Sequence, residues 1–545
     1  MLKQSSFAFW KCAFFVDNVV FQKRNTKNIH WVCILFFLVA KKILYTMATL
    51  LESKSPTGPL VWNEHNESVS PEEKNLPVNQ DVEDAVNPLP LRKARKNIRF
   101  HPSVDEQLNK RKNALRGKVQ QLAQSVQERD SDALEKLVTI LVSERPVDIY
   151  CHVPNILTLA LTKSSPQIQR DLGTCFKYGF GVELDKKNAF MLYQHAAATG
   201  DALAQYRLAI CYDKGSGVNR DMLQAVVMYE QAAIQGIRGA MFNLAMCFAE
   251  GNGVDANVEK AVGWYTTAVE HGCNKSANNL AVFYQQGTGV PRDEKTAVAL
   301  LRFASSKGNS KAKFNLAECY RRGECGVEKN IEKAFSIYQE VIDEKIPSVD
   351  FQLARCYERG LGTSVDFKKA FVLYRRASLA GIIEAHTSCG IMHFNGTAPQ
   401  GKNFYKAFSS FLKAAEHSDD EAQYNAGYCL ENGLGTSVDV KAAVLMYIKS
   451  TDQGNPKAMN NLAYLYLNGI GVEKDPEKAI VLFETSAELN YHPAQRNLAT
   501  CHQFGFGVPE NMEIAIEWFQ EAARNGNEDA KSELKKITKT GCSIS

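Results

Sequence analysis

The sequence has little net charge, +4 over 545 residues, and its 64 basic and 60 acidic side chains are not gathered on one stretch of the repeats described below. Nucleic acid is therefore not an indicated partner, because binding it needs positive charge concentrated on one face. Long apolar runs are missing too: Trp31–Ala40 is only ten residues, where a membrane-spanning helix needs about 20. There is no Gly-x-x-x-x-Gly-Lys-Ser/Thr phosphate loop, no Cys-x-x-Cys pair and no His-Glu-x-x-His helix. Those absences remove the sequence signs of P-loop chemistry and of the common zinc sites. The 11 histidines are scattered. No catalytic residue, cofactor, metal or small-molecule substrate is expected, since catalysis needs its groups gathered at one point. With 45% hydrophobic and 23% charged residues the composition is that of a folded soluble protein. A chain this long is either several domains or an array that grows in one dimension.

Fourteen cysteines could form a disulfide framework in a secreted protein. Their phase argues against it. Cys175, Cys211, Cys247, Cys319, Cys356, Cys429 and Cys501 all occupy one position of a repeat. Packed helices lie roughly 8–10 Å apart, beyond the roughly 7 Å Cα separation a disulfide tolerates, so equivalent positions in successive repeats cannot be bridged. Free thiols used as small core residues are expected, and they favour a reducing compartment.

Residues 1–46 carry seven Lys or Arg and one acidic residue, Asp17. Two readings stay open: an extension preceding a start at Met47, or a mitochondrial or secretory targeting segment that fits neither pattern well. Residues 47–102 are polar and Pro-spotted, as in a disordered arm. Leu108, Leu115, Val119, Leu122 and Val126 then recur at helical spacing, and Leu134–Val142 is apolar. Two or three helices are expected within 103–166, forming an N-terminal cap.

Beyond Pro166 the sequence repeats itself. Leu172, Leu208, Leu244, Leu280, Leu316, Leu353, Cys389, Ala426, Leu462 and Leu498 are equivalent, spaced by 36 residues and twice by 37, with Leu534 opening a last half-repeat. A fixed period of this size marks a helical solenoid. Each unit has a Gly-rich turn, such as Gly215-Ser-Gly217, where a residue just past a helix end takes positive φ. An Asp or Asn follows in all ten units, from Asp185 to Asn511, as the N-cap of a second helix. Four residues after each cap stands an Ala, and four further on usually an aromatic, as in Tyr193, Tyr265 and Phe483. The small residue admits a close neighbour and the ring fills the space beside it. Gly200, Gly236 and their equivalents stop the second helix.

Residues 203–236, LAQYRLAICYDKGSGVNRDMLQAVVMYEQAAIQG, carry the pattern clearly. The unit resembles the Sel-like repeat (SLR), a relative of the tetratricopeptide repeat, and the resemblance covers 167–531. It implies an all-α fold, a right-handed α–α superhelix (solenoid) of about ten two-helix repeats, with 532–545 as capping helix and tail. It also implies a scaffold or adaptor that binds other proteins along a concave repeat surface. Within the family that role ranges over secretory-pathway quality control, mitochondrial stress relay and regulation of membrane enzymes such as chitin synthase. Two turns depart from the pattern: Gly323-Glu-Cys-Gly326 has one extra residue, and Gly396-Thr-Ala-Pro-Gln-Gly401 replaces the usual turn. A bend, a partner-specific protrusion or a neutral insertion would each account for them.

Two short motifs lie outside the array. The ending Cys542-Ser-Ile-Ser545, behind several lysines, fits the farnesylation pattern and would give weak, reversible membrane attachment through Cys542. Lys96-Asn-Ile98-Arg-Phe100 resembles the docking motif of type-1 protein phosphatase regulators, with Lys96, Ile98 and Phe100 as the matching positions; Ile98 and Phe100 packing on the first capping helix is the plainer reading. The leading expectation is a cytoplasmic, non-enzymatic interaction scaffold, peripheral at the cytosolic face of a membrane if Cys542 is prenylated. The alternatives are a regulatory subunit of that phosphatase or of a membrane enzyme, and a luminal or mitochondrial quality-control adaptor, to which sequons at Asn66, Asn274 and Asn395 would contribute in the luminal case.

Overall fold

A computed structural model of the chain describes residues 102–146 and 156–539. Among these residues the regular elements are twenty-four α-helices and one 3₁₀ turn, with no strand. Three helices, Pro102–Gln127, Ser131–Glu144 and Ile156–Lys163, precede the repeats. Asp130 caps the second of them, accepting from the N–H groups of Asp132 and Ala133. That helix buries Leu134, Leu137 and Leu141 in one core with Leu172, Phe176 and Phe180 of repeat 1. The end of the first repeat, which has no preceding repeat to pack on, is thereby covered.

Ten helix pairs follow, from Pro166–Tyr178 with Lys186–Ala198 to His492–Phe504 with Met512–Arg524, and Glu528–Lys539 packs on the last. The usual helix is 13 residues, about 20 Å long. Each second helix packs on the first helix of its own repeat and on that of the next.

All ten Asp or Asn caps form as the sequence predicts: Asp221 accepts from the N–H of Gln224 at 3.1 Å, Asn330 from Lys333 at 2.7 Å and Asp439 from Ala442 at 2.9 Å. The same residues do a second thing that the pattern does not announce. Their backbone N–H donates back to a carbonyl near the end of the first helix: Asp221 to Tyr212 at 3.0 Å, Asn257 to Phe248 at 2.7 Å, Asp439 to Leu430 at 2.9 Å, and likewise in every repeat. One residue thus starts the second helix and clasps it to the first. The turn between them needs glycine twice. The first, as at Gly215 with φ 63°, ends the helix in the left-handed region. The second sits against the preceding repeat, and a Cβ on Gly217 or Gly435 would collide with the carbonyl of Lys186 or Phe404.

The core is written in two positions. The Ala four residues after each cap is completely buried or nearly so in all ten repeats, and so is the residue four further on, aromatic except for Leu301. The ring presses on the first helix one residue past the equivalent Leu, where only Ala or Gly occurs. A Cβ on Gly173, Gly390 or Gly427 would meet the ring of Tyr193, Phe411 or Tyr447. Buried tyrosine hydroxyls find partners, as a polar atom under cover must. Tyr229 donates to Asp213 at 3.2 Å and Tyr374 to Glu358 at 2.8 Å, while Asn279 Nδ2 donates to the Tyr265 hydroxyl at 3.3 Å. The ten cysteines among the described residues are all buried.

Candidate interaction surface

Ten copies of one packing plan leave little freedom inside, so differences between repeats gather on the solvent faces. The position two residues past the equivalent Leu, on the first helix, changes most usefully. In repeats 3 and 4 it holds Met246 and Val282, which are 4% and 0% exposed. In repeat 5 it is Glu318, 4% exposed and consumed internally: Arg321 and Arg322 pair with it at 2.7 and 3.2 Å, and the Tyr338 hydroxyl donates to it. Burial alone would raise that carboxyl, but the hydrogen bonds from Arg321 and Tyr338 and the two guanidinium charges outweigh it and hold the group below the usual glutamate range.

Farther along, the same position opens to solvent. Arg355 and Ile391 are half-buried, and then come Tyr428 and Tyr464, 37% and 51% exposed. The two tyrosines sit on equivalent helices, Asp420–Asn432 and Pro456–Asn468, each ended alike by an Asn that donates to the tyrosine's carbonyl at 2.9 or 2.8 Å. They are therefore neighbours in one row, roughly one helix-pair width apart. Along the repeats, residues 184–234 expose five large hydrophobic side chains, 238–346 expose none, and 347–527 expose fourteen.

A second feature lies on the other helix of the pair. The second helices of repeats 6 and 7, Phe367–Leu379 and Phe404–Ala415, contain no Asp or Glu and carry Lys368, Lys369, Arg375, Arg376, Lys406 and Lys413. Arg376 is tied to the buried Asp350. The others face solvent with Phe367, Val372, Leu379 and Tyr405 among them. Such a mixture of cations and apolar side chains suits an anionic partner.

Among the described residues no group of three or more His, Cys, Asp or Glu could hold a metal ion, and no helix is long and apolar enough to cross a membrane. Lys96, Ile98, Phe100 and Cys542 lie outside the described residues, as do 1–46. Of the two irregular turns, the one in repeat 5 places Cys325 beside Cys319, and the one in repeat 7 buries Ala398. Sequence reading missed the tyrosine row, although Tyr428 and Tyr464 stand where repeats 3 and 4 carry Met and Val.

Paired helices clasped and stacked in this way define a helical-repeat protein, a fold whose usual work is holding other proteins. The Sel1 repeat model matches residues 166–201, 202–237, 239–273, 274–309, 310–340, 348–382, 383–419, 420–455, 456–491 and 492–527, more than half of the chain, and the chain belongs to this family. The gap between the fifth and sixth matches is where the 3₁₀ turn Ile342–Glu344 replaces the end of a second helix. A solved structure with the SLR fold, a protective antigen of uropathogenic Escherichia coli, is similar at 26% identity with a TM-score of 0.67, over 78% of this chain and 91% of that one. Shorter similarities are to chitin synthase regulatory factor 3 of Schizosaccharomyces pombe, 29% identical over 82 residues (15% of this chain, 9% of that protein), and to DAP3-binding cell death enhancer 1 of Rattus norvegicus, 51% identical over 43 residues (8% of each). The chain spans less than a tenth of either of these two relatives.

Proposed function

We propose that this chain is a non-enzymatic scaffold that holds partner proteins along the first-helix face of repeats 6–9. The observation that carries this reading is the opening of one repeat position, from the fully covered Val282 to the half-exposed Tyr464. Tyrosine is enriched at the centres of protein interfaces because it buries a large rigid ring and keeps a hydrogen-bonding end. Proximity labelling in the intact cell, with wild type, Tyr428→Ala/Tyr464→Ala and a second-helix control, Leu445→Ala/Val481→Ala, tests it. Selective loss of partners from the tyrosine variant is expected; identical partner sets for all three proteins would sink the proposal.

A second reading is favoured by the acid-free helices of repeats 6 and 7. Their lysines and exposed apolar residues support attachment of the scaffold to an anionic membrane surface on the cytosolic side, with prenylated Cys542 as a second anchor. Co-sedimentation with phosphatidylserine vesicles, lost in Lys368→Glu/Arg375→Glu/Lys413→Glu and absent with neutral vesicles, is the expected result. Equal sedimentation of variant and wild type speaks against it. Narrower roles follow from the same frame. A regulatory subunit of type-1 phosphatase would use Lys96, Ile98 and Phe100, and a regulator of a membrane enzyme would match the name of the chitin synthase factor; loss of phosphatase capture in Ile98→Ala/Phe100→Ala separates the first from the second. A quality-control adaptor in the secretory pathway or mitochondrion is the remaining alternative, and the compartment reported by the labelling decides it.

A further inference from the structure

The turn of repeat 5 is one residue longer than its equivalents, reading Gly323-Glu324-Cys325-Gly326. Cys325 adopts a φ of 62°, a region where a side chain is disfavoured and glycine is the usual occupant. Its sulfur lies 3.0 Å from that of Cys319, the repeat-phase cysteine on the preceding helix Ser310–Arg322. The side-chain amide of Gln285, from repeat 4, donates to both sulfurs, at 3.3 Å to Cys319 and closer still to Cys325. Its carbonyl oxygen is left buried with no hydrogen-bond partner. Aiming the amide at two sulfurs therefore leaves a polar atom unsatisfied, which side-chain packing alone does not call for.

The other repeat-phase cysteines are different. Cys211, Cys356, Cys429 and Cys501 stand singly, and burial pushes each thiol up to about 11. Such groups are inert. At the pair the two sulfurs diverge. Cys319 donates its S–H to Cys325 and is pushed up, first by that hydrogen bond and then by burial. Cys325 receives the bond and is held below the ordinary thiol value by it, with Gln285 helping against burial. The residues on either side, Gly323 and Gly326, are exposed, so the turn reaches solvent although the sulfurs are covered.

We propose that Cys319 and Cys325 are a dithiol that hydrogen peroxide converts to an intrachain disulfide, a modification site set in the irregular turn of repeat 5. The Cys325 thiolate attacks one peroxide oxygen, the O–O bond breaks, and a sulfenic acid forms while the departing hydroxide takes a proton to become water. The sulfur of Cys319 then displaces the sulfenic hydroxyl; the S–S bond forms, and the hydroxyl leaves as a second water with the Cys319 proton. Two thiols are oxidised and one peroxide is reduced to two waters. A dithiol reductant reverses the step by thiol–disulfide exchange.

Peptide mapping reads the site directly, because trypsin cuts after Arg321 and Arg322, between the two cysteines. The purified full chain is treated with equimolar peroxide, its remaining thiols are alkylated in denaturant, and the digest is analysed by mass spectrometry. The expected product is a linked pair, Phe314–Arg321 with Gly323–Lys329, that disappears on reduction, while Cys356 and Cys501 are recovered alkylated. In Cys325→Ser, shown folded by circular dichroism, Cys319 is expected to be recovered alkylated as well. The proposal is overturned if both cysteines of the wild type stay alkylated, if Cys325 over-oxidises without linking, or if peroxide consumes the solitary cysteines equally.

Discussion

Repeats 3–5 and repeats 6–10 follow the same folding instructions and present different faces to solvent. Both stretches have the Asx cap, the buried Ala and the large side chain that follows it, yet 238–346 exposes no large hydrophobic residue and 347–527 exposes fourteen. Residues that set the period answer to the neighbouring helix and hardly vary. Residues on the open face answer to nothing inside the chain. Variation there is where a repeat protein acquires its particular partner, since stability comes from each unit and its nearest interfaces.

Mutations can press on this division between packing and presentation, beginning with the largest effect. Phe483→Ala removes a ring that is 1% exposed, and should destabilise the array by about 3–5 kcal/mol, read as a lowered urea midpoint. Ala443→Leu forces a larger side chain into a completely covered site; about 1–3 kcal/mol of overpacking is expected from the same measurement. Asp439→Ala deletes the cap bond to Ala442 and should cost about 0.5–2 kcal/mol, with faster amide exchange in the first turn of Val440–Asp452. A smaller effect belongs to Glu318. Its carboxyl is held low in the folded state, so its stabilisation is full above the ordinary glutamate pKa of about 4.3 and is lost as pH falls through the lower native value. Glu318→Gln should flatten the acid limb of stability, seen in urea midpoints between about pH 5 and about pH 3. Tyr464→Ala should move stability least, by no more than about 0.5 kcal/mol. A large loss there would mean that the tyrosine belongs to the packing, and the contrast with Val282 would dissolve.

The period, the caps, the buried Ala and the glycine turns were legible because each is dictated by local chemistry that recurs every 36 or 37 residues. The clasp from the cap N–H to the first helix was not, since a backbone donor leaves no mark in residue type. Nor was the exposure of Tyr464: at its position Val282 is covered and Tyr464 is open, and periodicity assigns both to one phase. The thiol pair escaped for another reason. Reasoning from the period compares cysteines a whole repeat apart, whereas Cys325 meets Cys319 inside one repeat, through a single added residue.

The clasp has a consequence for how the array comes into being. Because one cap residue joins the two helices of a unit, the bonds that define the unit lie within a short stretch of chain. Low contact order of this kind favours rapid folding that can nucleate in any unit and spread to its neighbours. A chain assembled this way can begin to fold while it is still being synthesised, and can gain or lose a whole unit by duplication or deletion without redesign of the rest. On that view repeats 5 and 7 can carry their irregular turns without disturbing the units on either side.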